Sequence, residues 1–272
     1  MRKTILLGLA VLIGTATRTL AQTSGDELTD SPFVRNIRPD RPGVTITTNM
    51  LYPGQVQLDA GINQLPASGR FGASRTMSSA TLRVGFFNHI ELRATQNYLH
   101  AQPRSSSLET PTTPAVAGFA PLTVGAKFLA STVQNARSQV VVLAEMTLRN
   151  GDASFPAKTY EPSARLLISQ MIGDRYGLEG NFGFTQKGFR AEDTKRGQYI
   201  GSLALNGPLS NHFGFFSEAY VLGRQTWQPG VTTGVYWRPV PGFRIDANAG
   251  HQFNAPSGGL QLGAGMSLRL PY

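Results

Sequence analysis

The 272-residue sequence contains no cysteine. Disulfide bridges and a lipid anchor attached to cysteine are therefore excluded. Charge is sparse, with Asp, Glu, Lys and Arg together making up 15% of the chain. Only four histidines are present, and they show no metal-ligand spacing. Past the N-terminus, no segment approaches the ~20 consecutive apolar residues that a transmembrane helix needs. Helical membrane spans are thus disfavoured. A membrane barrel is not, because there only alternate residues meet lipid.

What is present is glycine (30 residues) and a 40% hydrophobic composition, enough for one large all-β domain. The first 21 residues read as a secretory leader. Arg2 and Lys3 supply its positive start, Ile5 to Ala16 its short apolar run, and Thr19-Leu20-Ala21 a cleavage site before Gln22. Export is the expectation. Without Arg2, Lys3 and Arg18, 22 basic residues remain against 16 acidic ones, a net charge of +6. No basic run with interleaved aromatics accompanies this excess, so nucleic acid is not an expected partner. A basic rim facing anionic lipid head groups or acidic solutes fits better.

From Gly54 onward the chain alternates with a period of two. In QVQLDAGIN, Val56, Leu58, Ala60 and Ile62 oppose Gln57, Asp59 and Asn63. In SATLRVGFF, Ala80, Leu82, Val84 and Phe86 oppose Thr81, Arg83 and Gly85. The last such stretch, GGLQLGAGMSLRLPY, sets Leu260, Leu262, Ala264, Met266, Leu268 and Leu270 against small or polar residues. Period two means a strand with two unlike faces. Roughly twelve such segments occur, each near the ~9–11 residues that cross a bilayer when tilted.

The connections alternate short and long. Asn88-His89, 131–138, Gly173-Asp174-Arg175, Ser210-Asn211-His212 and Pro239 to Gly242 are short. The stretches 64–77, 99–120, 150–160, 185–196, 223–230 and 252–258 are longer and polar. This pattern predicts an all-β fold: a transmembrane antiparallel β-barrel of about twelve strands, with short periplasmic turns and long extracellular loops. Closure requires the first strand (55–63) to pair with the last (259–270), because an open edge cannot face lipid. Tyr98, Tyr176, Tyr199, Phe213, Trp237, Phe243 and Tyr272 fall near strand ends, where interfacial girdles belong. The domain expectation is a leader over 1–21, a periplasmic N-terminal segment over 22–53, and the barrel over 54–272.

The stretch IRPDRPGVTITTNMLYPGQVQLDAGIN carries Asp40-Arg41-Pro42, then Thr45, Thr47 and Thr48. A first strand with Gly54, Gln57, Leu58, Asp59 and Gly61 follows. It resembles the start of a family of bacterial outer-membrane transporters labelled "MetA-pathway of phenol degradation". Pro39 stands where that family more usually has Thr, and Asp59 where Glu is commoner. LTVGAKF, YIGSLALNGPLSNHFGFFSEAY and PVPGFRIDANAGHQFN are also similar, so the resemblance spans the mature chain. It implies a barrel in the outer membrane of a Gram-negative bacterium and a transport role. The aromatic residue closing the final strand resembles the C-terminal signal of outer-membrane proteins, which implies the barrel-assembly machinery as a partner alongside outer-membrane lipids.

Alternation places an ionic set inside the barrel. It comprises Asp59, Glu91, Glu145, Glu179, Glu218 and Asp246, with Arg83, Arg93, Lys127, Arg149, Arg165, Arg238, Arg244 and Arg269. On the lipid face each Arg or Lys would cost ~2–4 kcal/mol near mid-membrane. Inside, the charges either pair across the lumen and fill it, or line a wet passage and set its selectivity. Residues 37–53 are too polar for lipid and are punctuated by proline. They either hang as a periplasmic tail or tuck into the lumen as a plug, with Arg38, Asp40, Arg41 and Pro42 as its motif. Catalytic readings are weak. Of the four histidines only His251 could meet Ser257 or a nearby carboxylate at the outer rim, and a solvated loop histidine accounts for it. The glycines make no phosphate-binding loop, and neither cofactor nor metal is expected. The leading expectation is a passive channel or facilitator for a small, amphipathic or aromatic solute. The alternative is a structural or surface-binding barrel.

Overall fold

The computed structural model describes residues 37–40, 43–65, 75–101, 115–130, 138–173, 175–189, 197–240, 242–254 and 259–270. The expected leader, Arg41, Pro42, Ser257 and Tyr272 lie outside these residues. Regular structure within them is strand throughout. The segments are β1 Val56–Leu65, β2 Arg75–Phe87, β3 Ile90–Ala101, β4 Val116–Phe119, β5 Thr123–Leu129, β6 Ser138–Thr147 and β7 Glu161–Ile172. They continue with β8 Tyr176–Thr185, β9 Gln198–Pro208, β10 Phe213–Gly223, β11 Trp227–Val240, β12 Phe243–Gln252 and β13 Leu260–Leu270.

β4 and β5 both pair with β3. They are two pieces of one stave, interrupted around Pro121, which has no amide hydrogen to give to a ladder. The wall therefore has twelve antiparallel staves and is closed. The first and last strands meet as the alternation requires, from Val56 opposite Leu270 to Gln64 opposite Leu262. A slip of one residue would turn Arg269, with Gln261 and Ser267, outward into lipid, so the two-faced pattern itself selects this register.

One expected loop is absent. The stretch 223–230, read as a long connection, is mostly strand: β11 begins at Trp227, and only 224–226 separate it from β10. Pro229 caused the misreading. Its missing donor is harmless because the β12 ladder starts one residue later, at Gly230 opposite Gln252. The Pro229 carbonyl still accepts from the Phe253 amide at 2.8 Å.

Leu58, Leu82, Leu92, Phe128, Leu166, Phe182, Leu203, Val235 and Met266 stand exposed on the exterior. An apolar band of this extent has lipid as its natural solvent. Outward aromatics collect at the two strand ends. At the long-loop end Tyr98 packs edge-on against Phe119 at 5.2 Å, and Tyr199 stacks on Trp227 at 6.5 Å. At the short-turn end Phe213 stacks on Trp237 at 6.2 Å, and Phe86 leans on Phe87 at 4.4 Å.

Candidate functional site

The inner face is polar and ionic, and residues 37–40 and 43–55 lie inside it. Their entry into the wall is a tight turn. Pro53 and Gly54 occupy its centre, with Gly54 at φ 85° and the Gln55 amide donating to the Tyr52 carbonyl at 3.0 Å. Proline at the first central position and a positive-φ glycine at the second are what a type II turn demands. A Cβ at Gly85 would collide with the Tyr52 carbonyl oxygen. Glycine there lets the segment lie against β2, where the Gly54 amide donates to the Gly85 carbonyl at 2.9 Å.

Upstream of the turn the segment is extended, and its peptide groups need partners that a sheet would otherwise supply. The wall supplies them strand by strand. The Val44 and Thr45 amides donate to the Glu218 carboxylate on β10 at 2.8 Å each. Thr45 Oγ1 meets Ser202 on β9 at 2.9 Å. Ile46 exchanges two bonds with Asn181 on β8, at 2.7 and 2.9 Å. Thr47 Oγ1 donates to Glu179, and Thr48 Oγ1 reaches Ser169 on β7 at 2.8 Å. Lys127 on β5 donates to the Thr47 carbonyl at 2.9 Å. The Leu51 amide donates to Glu91 on β3 at 2.9 Å, and Arg83 on β2 donates to the Asn49 carbonyl at 2.8 Å.

An ionic knot anchors the start of the segment. Asp40 accepts from Arg93 at 2.6 Å and from Lys127 at 2.8 Å, with Arg83 at 3.7 Å. Burial by itself would raise the Asp40 carboxyl; Arg83, Lys127 and Arg93 outweigh it and hold the group well below the usual carboxylate range. Arg83 also forks onto Glu91 through two 2.8 Å bonds and donates to the Arg38 carbonyl at 3.0 Å. Arg93 reaches Glu145 at 3.1 Å, and Arg38 reaches Glu179 at 3.3 Å. Buried polar groups are tolerable only when satisfied, and here almost every partner belongs to a different strand.

Two further arrangements complete the lumen. Arg269 donates to Gln57 Oε1 through Nε and Nη2, at 2.9 and 2.6 Å. Gln57 in turn donates to Asp59 at 2.7 Å, and Asp59 lies 3.6 Å from Arg83. This relay runs across β13, β1 and β2, pinning the seam where the ring closes. Next along the wall, the guanidinium of Arg244 lies 3.9 Å from the centre of the Tyr236 ring, and that of Arg238 lies 5.6 Å from it.

The alternation pattern had selected these charges, and the barrel places them unequally. Asp59, Arg83, Glu91, Arg93, Lys127, Glu179, Glu218, Arg244, Asp246 and Arg269 are buried on the inner wall, and Glu145, Arg165 and Arg238 are half-buried. Arg149 differs: it lies past the end of β6, exposed, with its guanidinium 6.0 Å from the Tyr160 ring. The segment meets more than the expected wall charges, because the partners of Glu218 are backbone amides. Charge-based reading also missed Val141, Leu143 and Leu167, which face inward with no exposed surface and pack on Ile46. Their signal is present in the sequence. VVVL on β6 and LLI on β7 are apolar on both faces, which marks a stretch covered on both sides.

A closed barrel with an apolar exterior, aromatic rims and an ionic interior defines an outer-membrane β-barrel protein. The chain belongs to the family described as "Putative MetA-pathway of phenol degradation", whose model matches residues 39–270. It is similar in fold to an outer membrane channel from Pseudomonas putida F1, with a TM-score of 0.60 at 9% identity, covering 85% of this chain and 99% of that one. Likeness extends to the KdgM porin in complex with disordered oligogalacturonate, at TM-score 0.54 and 9% identity over 78% of this chain and 98% of that one. The NanC porin also matches at TM-score 0.54 and 9% identity, over 79% and 100%. No curated protein matches the sequence.

Proposed function

We propose that this protein is a passive outer-membrane channel for small molecules, with residues 37–53 acting as a plug that narrows the lumen. The observation that supports this best is the character of the interior. Wall charges and amides hold the segment by hydrogen bonds, as in the bond between Lys127 and the Thr47 carbonyl, rather than by a continuous apolar core. Polar contacts of this kind exchange readily with water, so a wet passage beside the segment is sustainable. The family description names phenol degradation; a small amphipathic or aromatic solute is the substrate class we assign. The role is non-enzymatic, and the final strand, Leu260–Leu270, is what the barrel-assembly machinery would read.

The test is planar-bilayer conductance and liposome swelling on the folded protein, with and without residues 22–53. The expected result is a small conductance for the whole chain and a larger one after the deletion. A folded barrel that passes neither ions nor small solutes in either form supports the second reading, a structural or surface-binding barrel. The buried apolar cluster of Ile46 with Val141, Leu143 and Leu167 favours that second reading only if the segment never moves, because its contact is dry.

A further inference from the structure

The inner wall carries a cationic station on β12 that the segment's contacts do not explain. Arg244, on β12, is 6% exposed, and its Nε has no hydrogen-bond partner. Directly opposite in register on β13 is Ser267, fully buried, with an Oγ that also lacks a partner. Side chains in such a cross-strand pair lie close together, with Cβ atoms ~4.5–5.5 Å apart. An unpartnered buried guanidinium N–H is costly in a folded protein and calls for an acceptor, and Ser267, which also stands opposite Asp59 on β1, shares its patch of wall. The Tyr236 ring covers one face of the Arg244 guanidinium, 3.9 Å from its centre, which leaves the in-plane N–H edge for binding. Arg238 flanks the same ring at 5.6 Å. Asp246 shares the inner face two residues on, so the station needs its several arginines to remain net positive.

Resting on the channel reading, we infer that Arg244, Ser267 and Tyr236 form a binding station for a small organic carboxylate passing through the lumen. The in-plane guanidinium edge offers the paired N–H geometry that matches a carboxylate. Ser267 Oγ adds a third donor, and Tyr236 fixes the arginine's plane. The hydrogen bonds of residues 38–52 reach β2, β3 and β5 to β10, where they engage the carboxylates of Glu91, Glu179 and Glu218. Those three carboxylates are thus occupied by the segment, while the arc of β11 to β13 carries Arg238, Arg244 and Arg269 against the single acid Asp246. The station lies toward the short-turn end, near the start of β12, on the periplasmic side of the lumen.

The probe is benzoate, with benzyl alcohol as a neutral molecule of similar size. Titration calorimetry on the detergent-folded barrel measures binding, and reversal potentials across a KCl gradient measure charge preference. Wild type should bind benzoate, ignore benzyl alcohol and prefer anions. Arg244→Gln should weaken benzoate about tenfold or more, ~1.4 kcal/mol per tenfold, and move the reversal potential toward zero. Ser267→Ala, which leaves the charge and the fold intact, should weaken binding severalfold without moving the reversal potential. A conducting barrel that binds both probes alike, or benzoate affinity unchanged in both variants, overturns the station while leaving the channel standing. A folded barrel that passes nothing of any charge overturns the channel reading, and the station as a transport element with it.

Discussion

Asn181 treats Ile46 as a neighbouring strand would: its side-chain oxygen accepts from the Ile46 amide at 2.7 Å, and its side-chain nitrogen donates to the Ile46 carbonyl at 2.9 Å. One side chain on β8 thus satisfies both peptide groups of a residue that has no sheet of its own. Asn181→Ala should strand both groups, at about 1–3 kcal/mol each. Hydrogen exchange at Ile46 and its neighbours should quicken at least about tenfold, with the barrel staves unaffected. Unchanged exchange would mean that other groups hold the segment.

Asp40 is the acid on which Arg93 and Lys127 converge. Asp40→Asn removes the charge and keeps the shape. Breaking a buried ionic group in this way costs on the order of 3 kcal/mol. Proteinase K should then cut within residues 43–50 in the folded barrel, where the wild type resists. Equal resistance in both proteins would show that the knot does not retain the segment.

The same carboxyl predicts a pH dependence. Its pKa is lowered in the folded state, so its stabilisation is fully present above the unfolded value of ~3.9. That stabilisation is lost only as pH falls through the lower folded value. Conductance should therefore show no Asp40-dependent change between neutral pH and about pH 4. A rise in stronger acid should be present in wild type and missing in Asp40→Asn. A wild-type rise already complete at pH 5 would contradict the assignment.

Leu167 has no exposed surface and packs with Ile46. Leu167→Ala should destabilise by about 2–5 kcal/mol. Leu167→Ala and Ile46→Ala should be non-additive in the double variant by at least ~0.5 kcal/mol. Strict additivity in thermal or denaturant unfolding would place the two side chains apart.

Leu82 and Arg83 are consecutive and face opposite solvents, one exposed on the exterior and one fully buried. Leu82→Arg should cost ~2–4 kcal/mol in refolding into lipid vesicles, with the larger value nearer the midplane. A neutral effect would mean that this face does not contact hydrocarbon.

Much of the wall could be read directly. Leu58 against Asp59, or Leu268 against Arg269, states the two-solvent requirement in adjacent letters, and closure of β1 on β13 follows from the need to leave no edge in lipid. Strand limits were less legible where proline intervened, as at Pro229. Its cost depends on whether a neighbour asks for its missing amide hydrogen, and that neighbour is distant in sequence. Arg149 alternates correctly with Leu148 yet lies past the strand end, because periodicity does not record where a ladder stops.

The sequence by itself determined a two-faced, closed wall, since alternation is a local property and lipid tolerates charge on only one side. Which charge meets which was decided only by tertiary structure. Asp40 is joined to Lys127 across 87 residues, and Arg269 to Gln57 across 212. Such pairs exist only once the sheet has curled and the N-terminal segment lies within it. Hydrogen bonds are directional and short-ranged, so their partners are chosen by the position of the backbone in space, which no run of neighbouring residues specifies.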